Sequence, residues 1–473
     1  MSVFYRPEHA RVGDVIPFYD EGQFNLFYLK NWGDYDGPDR IPGWYRLVTV
    51  DNVHMLNETC AGIRGGTGCV VKADGVYHLF YCTFRDNPQR QYVCHAIGGD
   101  LEHWQPLPED TFGPDERWYL PADWRDPHVF WNDREGCWWM AVCAQSRGRT
   151  RRRGCVGLCK SKDLSHWTCC EPLYDPQAAL SGYECPDVFE MNGWWYLVFS
   201  QYTDGFRTSY RMSRSPRGPW IRPRIDAFDG RAFYAAKTGF DGARRYLYGW
   251  NPTREIDEYR FNPAGYDGKD CNTWDWGGTM IAHELWQAED GTLFVRPAPA
   301  VLEAVDRPAP LSPEPLTGDW RQTGRGWHVD APYGYAAMLG GEMAETWRLS
   351  VDVSLPRPTA RFGVALRVDG DFAEGYYLIV DLRRGRLELQ TPVRMTERGG
   401  KMFPYEVELE RPLPINDGRS FHLDVIVEGT VLEAYLNRSV ALSARMYDGT
   451  GSRFGLFISE GAASFEAIRA ARA

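Results

Sequence analysis

The amino-acid sequence predicts an all-β protein, a five-bladed β-propeller followed by a C-terminal β-sandwich. A hairpin pattern recurs five times within residues 1–290, and that region lacks the long 3.6-residue periodicity of helices. A Pro-rich stretch and a second series of alternating strand patterns then follow. With 473 residues the chain is long enough for two or three domains, so a propeller and a sandwich fit its length.

The repeated unit reads apolar strand, Gly-containing polar turn, aromatic strand, which is the pattern of a β-hairpin. The five copies begin at Val15, Cys69, His128, Asp187 and Ala235. Their turn glycines are Gly22, Gly75, Gly136, Gly193 and Gly242. Each of the first four hairpins is followed by a further strand and a short signature, which ends at Met55, Trp104, Trp167 or Trp220. Four strands in a repeat of about 50 residues indicate one propeller blade per copy.

The end of the propeller is predicted from the last strand pattern, near residues 284–299, and from the Pro-rich run RPAPLSPEPL that follows it. Beyond that run, segments such as TWRLSVDVSL and GYYLIVDL alternate in the way that strands of an antiparallel sandwich do. The predicted domains are therefore a propeller over 1–305, a linker over 306–316 and a sandwich over 317–473.

Composition excludes several classes of function. Hydrophobic residues make up 43% and charged residues 25%, which is typical of soluble globular proteins. A net charge of −11 argues against nucleic acid as a partner, and the basic run 147–153 is expected to be a solvated loop. No apolar run reaches the ~20 residues of a membrane helix and no signal segment opens the chain, so we expect a cytoplasmic protein without a membrane partner. The 12 cysteines lack metal-ligand spacing and are expected to be free thiols.

Candidate catalytic residues come from an alignment of the repeats, because the first strand of each blade lines the central channel. Four positions before the apolar residue that precedes each turn stand Asp14, Thr67, Asp126 and Cys185, with Glu184 beside the last. Three carboxylates at one channel end repel each other, which is more typical of function than of structure. Glycoside hydrolysis needs one ionised carboxylate, to attack the anomeric carbon or activate water, and one protonated carboxyl, to protonate the leaving group. The alternative is that these acids cap turns or hold a structural cation.

Two of the aligned segments resemble motifs of a known family. WRDPHVFW, around Asp126, and GYECPDVFE, around Glu184, resemble the RDP and EC motifs of glycoside hydrolase family 32, the invertase and fructanase family of clan J. YLYGWN and WGGTMIAHELW resemble its last-blade region, so the resemblance spans the full propeller. It implies that Glu184 is the general acid/base, that Asp126 binds the fructosyl hydroxyls and stabilises the transition state, and that Arg125 contacts the substrate. It also implies a nucleophile from the first blade, where Asp14 stands.

The chain resembles a divergent member of this family. Its first-blade segment ARVGDVIPFYDEG keeps only the aspartate of the family's Trp-Met-Asn-Asp-Pro-Asn-Gly type of motif, and RGGTGCVV has a threonine near the place of the family's second-blade serine. Further substrate contacts are predicted at Trp32, Trp44, Thr67, Tyr183 and Trp250. The first two would be aromatic walls around the sugar. His283 stands where the family often has an arginine, and no role is predicted for it.

These observations predict a retaining, exo-acting β-fructofuranosidase-like enzyme that acts on small fructosides or fructo-oligosaccharides through a fructosyl–Asp14 ester. Three other interpretations stay open: a fructosyltransferase, an inverting arabinofuranosidase or xylosidase of the family 43 type, and a non-enzymatic sugar-binding propeller. A separation of the Asp14 and Glu184 carboxylates of about 5–5.5 Å would indicate retention, and about 6.5–9.5 Å inversion. No cofactor and no metal are expected. The expected partner is a small oligosaccharide or glycoside, and the sandwich is expected to pack against the propeller or to form a homo-oligomer contact.

Overall fold

The computed structural model confirms the predicted fold: five blades of antiparallel strands surround a channel, and a β-sandwich follows them. It describes residues 2–85, 90–256, 268–391, 407–413, 418–449 and 451–473. Among these residues, none of the helices has the length and apolar character that a membrane span requires.

The strands of each blade follow one another in chain order from the channel outwards. Blade 1 consists of β1 (Arg11–Asp20), β2 (Gln23–Asn31), β3 (Trp44–Thr49) and β4 (Leu56–Cys60). Blade 2 consists of β5 (Gly66–Ala73), β6 (Val76–Arg85), β7 (Arg90–Gly98) and β8 (Gln105–Phe112). Blade 3 consists of β9 (Tyr119–Asn132), β10 (Cys137–Ser146), β11 (Gly154–Ser161) and β12 (Thr168–Tyr174). Blade 4 consists of β13 (Glu184–Met191), β14 (Trp194–Gln201) and β15 (Arg207–Ser213). Blade 5 consists of β16 (Tyr234–Phe240), β17 (Arg245–Pro252), β18 (Gly278–Gln287) and β19 (Leu293–Pro297), with a 3₁₀ turn (Lys269–Cys271) before β18.

Tight turns explain why each blade starts with a hairpin. In blades 1, 2 and 4 the turn has two residues, and its second residue is a glycine at φ of 81°, 81° and 76°. A left-handed φ costs glycine no steric clash, and it gives the turn the twist that a hairpin requires. The turn glycines Gly22, Gly75 and Gly193 are thereby confirmed, and Gly136 and Gly242 take a positive φ in the longer turns of blades 3 and 5.

The innermost strands β1, β5, β9, β13 and β16 contact one another in that order, and the contact of β16 with β1 closes the ring. Blades 1 and 5 are also joined by the pairing of Val12 with Gly278, which places β1 and β18 in one sheet. The ring therefore has no open seam at the point where the first and last blades meet.

Polar side chains fill the middle of the channel. The Lys237 ammonium of blade 5 donates across the channel to the Gly68 carbonyl of blade 2 at 2.7 Å, and His128 Nε2 lies 3.3 Å from Asp187 Oδ1. Burial lowers the pKa of His128 to about 4, although Asp187 opposes that shift. We call these three interacting side chains, His128, Asp187 and Lys237, the channel plug.

The second domain begins after helix α1 (Pro299–Ala304). Its strands are β20 (Arg307–Pro308), β21 (Glu314–Thr317), β22 (Asp319–Gln322), β23 (Gly326–Glu342), β24 (Thr346–Ser354), β25 (Arg361–Val368), β26 (Tyr376–Asp381), β27 (Arg386–Gln390), β28 (Val407–Pro412), β29 (Ser420–Glu428), β30 (Val431–Leu436), β31 (Val440–Arg445) and β32 (Arg453–Arg472). The first of these strands lies in the predicted linker 306–316 and the second begins in it, and they pair with β32 and β23. The linker therefore contributes two short strands to the sandwich sheet.

The two layers of the sandwich share the long strands β23 and β32. The first half of β32 pairs with β25 and its second half with β24, so the strand passes from one layer to the other. Between the layers lies an apolar core that includes the buried side chains of Trp347, Phe362, Leu423 and Leu456. Such a two-layer arrangement buries one face of each layer against the other.

The interface between the propeller and the sandwich accounts for His283. Its Nδ1 lies 2.8 Å from the Tyr435 hydroxyl of the sandwich and its Nε2 lies 3.0 Å from Asp229 Oδ2 of the propeller. The Ser443 backbone N–H of the sandwich donates to Asp229 Oδ1 at 2.8 Å. His283 is therefore a buried contact between the two domains and does not line the cavity that holds the three acids.

Candidate active site

The register of every innermost strand is interrupted at one level of the channel. The interruption falls at Asp14 in β1, Thr67 in β5, Asp126 in β9, Cys185 in β13 and Ala235 in β16. Asp126, Cys185 and Ala235 have left-handed φ values of 56°, 49° and 53°. Bulges of this kind bend a strand and re-aim its side chains, and they are common next to functional sites. We call these five positions the bulge ring.

The bulge ring brings the three predicted acids together. Asp14, Asp126 and Glu184 line one cavity of about 530 Å³ at the end of the channel, and Arg125 lines it with them. A volume of this size is typical of small-molecule sites. The alignment of the repeats is therefore correct about which carboxylates share a pocket.

Both oxygens of the Glu184 carboxylate have partners. Arg125 Nη2 donates to Oε1 at 2.9 Å, and the Tyr234 hydroxyl donates to Oε2. Arg125 is itself oriented by Asp123, which accepts a hydrogen bond from its Nη1. Glu184 is consequently fixed in one orientation while still facing the cavity.

Asp126 is buried, and its Oδ2 accepts the backbone N–H of Cys185 at 3.0 Å. Burial raises the pKa of Asp126 to about 6, the Arg125 guanidinium opposes that shift, and the Glu184 charge adds to it. Asp126 therefore carries its charge less readily than an ordinary aspartate.

Asp14 lies on the first-blade side of the cavity, where Trp250 Nε1 donates to its Oδ1 at 3.2 Å. Burial, followed by the charge of Asp126, raises the pKa of Asp14 to about 7, whereas the Trp250 hydrogen bond favours the ionised form. Two neighbouring carboxyls with raised pKa values in one cavity are a feature of catalytic sites and a cost to the fold.

The other predicted contact residues differ in where they lie relative to the cavity. Thr67 lines the cavity, and its hydroxyl is buried without a hydrogen-bond partner among the described residues. Trp250 is 1% exposed and does not line the cavity, although its Nε1 donates a hydrogen bond to Asp14. Trp32 lies outside this cavity but lines a neighbouring one.

Trp44 and Tyr183 lie in the core. Trp44 is fully buried and its Nε1 donates to the Gly66 carbonyl at 3.1 Å. Tyr183 is 1% exposed and packs edge-on against Phe199 at 4.6 Å between ring centroids. The predicted contact of these two side chains with substrate is therefore corrected to a packing role, because neither lines the cavity.

Tyr234 and Trp276 are two of the cavity residues that the sequence analysis missed. Tyr234 precedes the bulge position of blade 5 just as Glu184 precedes that of blade 4, so extending the alignment to the fifth repeat would have found it. Trp276 lies in a loop segment before β18 and lines the cavity. Its ring packs on the backbone of Gly13, where an added Cβ would come within 2.2 Å of the indole.

The neighbouring cavity opens beside the acids and shares Leu29, Gly65 and Trp276 with their cavity. We call it the vestibule. Its remaining lining includes Trp32 and the cationic side chains of Lys30, Arg40 and Arg64. The site therefore has an inner, acidic compartment and an outer compartment with aromatic and cationic walls.

A propeller with carboxylates that converge at one end of its channel has the arrangement that glycoside hydrolysis requires. The model of the Glycosyl hydrolases family 32 N-terminal domain matches residues 16–297, which is more than half of the chain, and the chain belongs to this family. Asp126 and Glu184 fall inside the matched range, and Asp14 precedes it by two residues.

Similar proteins agree with this membership. A sucrose-6-phosphate hydrolase of Escherichia coli is 24% identical over 455 residues, covering 89% of this chain and 84% of the relative. A levanbiose-producing levanase of Bacillus subtilis (strain 168) is 23% identical over 490 residues, covering 92% of this chain and 82% of the relative. The crystal structure of an exo-inulinase from Aspergillus awamori superposes with a TM-score of 0.72 at 17% identity over 99% of this chain and 97% of that one, which shows a shared fold.

Proposed function

We propose that this chain is a retaining, exo-acting β-fructofuranosidase that releases fructose from small fructosides or fructo-oligosaccharides. The observation that carries the proposal is the convergence of Asp14, Asp126 and Glu184 on one cavity at the end of the channel. Sucrose 6-phosphate and levan, the substrates in the names of the two relatives above, both contain fructofuranosyl units.

In the proposed reaction, Glu184 donates its proton to the leaving-group oxygen while the Asp14 carboxylate attacks the anomeric carbon. The glycosidic bond breaks, and a fructosyl–Asp14 ester forms. Glu184 then takes a proton from water, and the water oxygen displaces Asp14 from the sugar. Asp126 would accept hydrogen bonds from the ring hydroxyls, and Arg125 and Tyr234 would hold the Glu184 carboxyl in line with the leaving group.

The polar side chains in the middle of the channel support exo action. Because the channel plug (His128, Asp187 and Lys237) occupies the middle of the channel, we expect a substrate to enter from the acid end with its terminal sugar first. The leaving group would extend into the vestibule, whose lining includes Trp32 and Trp276.

Two further proposals concern the cellular compartment of the enzyme and the domain that carries catalysis. We assign the enzyme to a reducing compartment such as the cytoplasm, because the sulfurs of Cys159 and Cys169 lie 3.5 Å apart without forming a disulfide. We assign catalysis to the predicted propeller domain 1–305 alone, since every lining residue of the acid cavity belongs to it. A homo-oligomer contact through the sandwich stays a prediction.

The proposal is tested by product analysis on a panel of sucrose, short β-2,1 and β-2,6 fructo-oligosaccharides, a difructose dianhydride and aryl arabinofuranosides. Wild type should release fructose, and Glu184→Gln should lose about 10²–10⁴-fold in kcat on the natural substrates. Glu190→Gln is the matched control, because Glu190 lies at the turn end of the same strand, β13, and should leave the rate unchanged.

Three outcomes would contradict the proposal. Release of arabinose instead of fructose would favour the family 43 type of enzyme. Binding without turnover in both wild type and Glu184→Gln would favour a sugar-binding propeller. In the presence of methanol, a retaining enzyme forms the methyl β-fructofuranoside, and its α-anomer would exclude retention.

A further inference from the structure

A cavity of about 670 Å³ lies between blade 4, the segment 222–231 and strand β28 of the sandwich. It is separate from the acid cavity and shares no lining residue with it. Six guanidinium groups line it, those of Arg207, Arg222, Arg224, Arg231, Arg386 and Arg411. We call this cavity the arginine cleft.

The three carboxylates of the cleft are already engaged. Asp226 accepts Arg211 at 2.7 Å and lies 3.0 Å from Arg222 Nε. Asp229 accepts hydrogen bonds from the sandwich and from His283, and Glu410 pairs with Arg386. The cleft therefore holds more positive charge than its own acids balance.

Arg411 shows this excess most clearly. The residue is only 2% exposed, and its described hydrogen bonds go to backbone carbonyls, including those of Ala227, Phe228 and Ala441 at 2.7–3.0 Å. Burial lowers the pKa of Arg411 to about 10. A buried cation that faces carbonyls in place of a carboxylate is an incomplete ion pair, and an anion in the cleft would complete it.

The free donors of the cleft point to the same chemistry. Arg207 Nε is buried without a hydrogen-bond partner among the described residues, while Arg207 Nη2 lies 3.6 Å from Asp226 Oδ1. Arg224 and Arg231 are exposed and make no ion pair with any described carboxylate, and Arg231 lies over the Trp274 ring at 5.3 Å. Planar guanidinium groups recognise phosphate oxygens in pairs, and a bare phosphate would fill only part of this volume.

We propose that the arginine cleft binds a small phosphorylated metabolite, such as a sugar phosphate. The proposal goes beyond the hydrolysis of fructosides and does not depend on it, because binding can be measured without turnover.

The cleft is also placed to influence catalysis. Arg207 follows Phe206, whose ring stacks on Tyr234 with centroids 4.3 Å apart and an angle of 12°. Tyr234 in turn donates to Glu184. A ligand that moves Arg207 would therefore shift Phe206 and Tyr234, and with them the orientation of the Glu184 carboxyl.

Binding is tested by thermal unfolding of the full chain with fructose 1,6-bisphosphate, inorganic phosphate or sodium chloride at equal ionic strength. The bisphosphate should raise Tm with dose, more than phosphate or chloride does. The double variant Arg224→Ala/Arg231→Ala should weaken binding of the bisphosphate by about tenfold or more. Arg149→Ala, an exposed arginine in the loop after β10, is the matched control and should keep the full response.

Equal Tm shifts in all three proteins, or a shift that sodium chloride reproduces, would overturn the site. A response to inorganic phosphate as strong as that to the bisphosphate would overturn the assignment to an organic phosphate.

The coupling is tested by the kcat of sucrose hydrolysis at saturating bisphosphate. It should change in wild type and Arg149→Ala and stay constant in the double variant, whereas competition at the acid cavity would raise KM in all three. Failure of the proposed function would appear as absent turnover with the Tm response intact.

Discussion

The hydrogen bond from Trp250 to Asp14 allows a quantitative test of the nucleophile. Trp250→Phe keeps an aromatic ring in this buried position and removes the Nε1–H that donates to Asp14 Oδ1 at 3.2 Å. A hydrogen bond to a charged group contributes about 1.5–3 kcal/mol, and this distance is long for such a bond, so the lower value applies. That value corresponds to about one pKa unit.

The direction of the expected pKa change follows from the negative charge of ionised Asp14. The bond favours ionised Asp14, so its loss should raise the pKa of Asp14 from about 7 to a higher value. A nucleophile reacts in its ionised form, and the acid limb of kcat/KM reports its pKa in the free enzyme. The acid limb should therefore move to higher pH by about one unit. The value of kcat/KM should fall by about tenfold at pH 6 and change little well above pH 8.

The assay is the pH profile of kcat/KM for sucrose or a short fructo-oligosaccharide, measured between pH 4 and pH 9. Trp167→Phe is the control, because it also removes an indole N–H, one that donates to the Leu164 carbonyl at 2.9 Å on the far side of blade 3. An acid limb of Trp250→Phe that stays in place or moves to lower pH would refute the assignment of Asp14. A decrease in kcat/KM that is the same at every pH would show that the Trp250 indole affects the rate only through its packing.

Three further predictions concern the cavity wall. Asp14→Asn should stabilise the fold by up to about 4 kcal/mol above pH 7, because a carboxyl whose pKa rises from 3.8 to about 7 on folding is penalised when ionised; the gain in Tm should vanish as pH falls toward 4, and a constant gain would contradict this cause. Gly13→Ala should displace the Trp276 indole, because the added Cβ would come within 2.2 Å of it. KM should then rise, and the free energy of unfolding should fall by about 1–3 kcal/mol. Unchanged kinetics would exclude Trp276 from substrate binding. Thr67→Val should raise KM by about 3–10-fold with Tm unchanged, since the buried hydroxyl has no described partner until a sugar hydroxyl arrives; an altered Tm with normal KM would indicate a structural role.

Most of the propeller could be predicted because its signals are local. A glycine turn between two strand patterns specifies a hairpin, and Gly22, Gly75 and Gly193 behave as that rule requires. The alternation of side chains along a strand, combined with the alignment of the repeats, also placed Asp126 and Glu184 on the channel. Both inferences need only short-range rules and the repetition of the unit.

The residues that were missed or misassigned from the sequence depend on contacts between distant segments of the chain. Trp276 reaches the cavity from a loop, whose path no periodicity specifies. Trp44 and Tyr183 show the converse problem, because an aromatic residue near a predicted site is equally suited to the core. His283 could not be interpreted from sequence, since its partner Tyr435 belongs to the other domain.

The bulge ring explains how so much chemistry fits at one level of the channel. A regular strand presents every second residue to the channel, so Arg125 and Asp126 could not both face it in an unbroken β9. Because the register is interrupted here, both consecutive residues reach the site. Arg125 donates a hydrogen bond to Glu184, and Asp126 lines the cavity. Each left-handed non-glycine residue costs about 1–3 kcal/mol, and the repulsion among the carboxylates adds to that cost. The three left-handed residues and the three carboxylates all line the cavity. We therefore infer that the level of the bulge ring is set by the reaction, and that the closed ring of blades and the channel plug supply the stability that this arrangement needs.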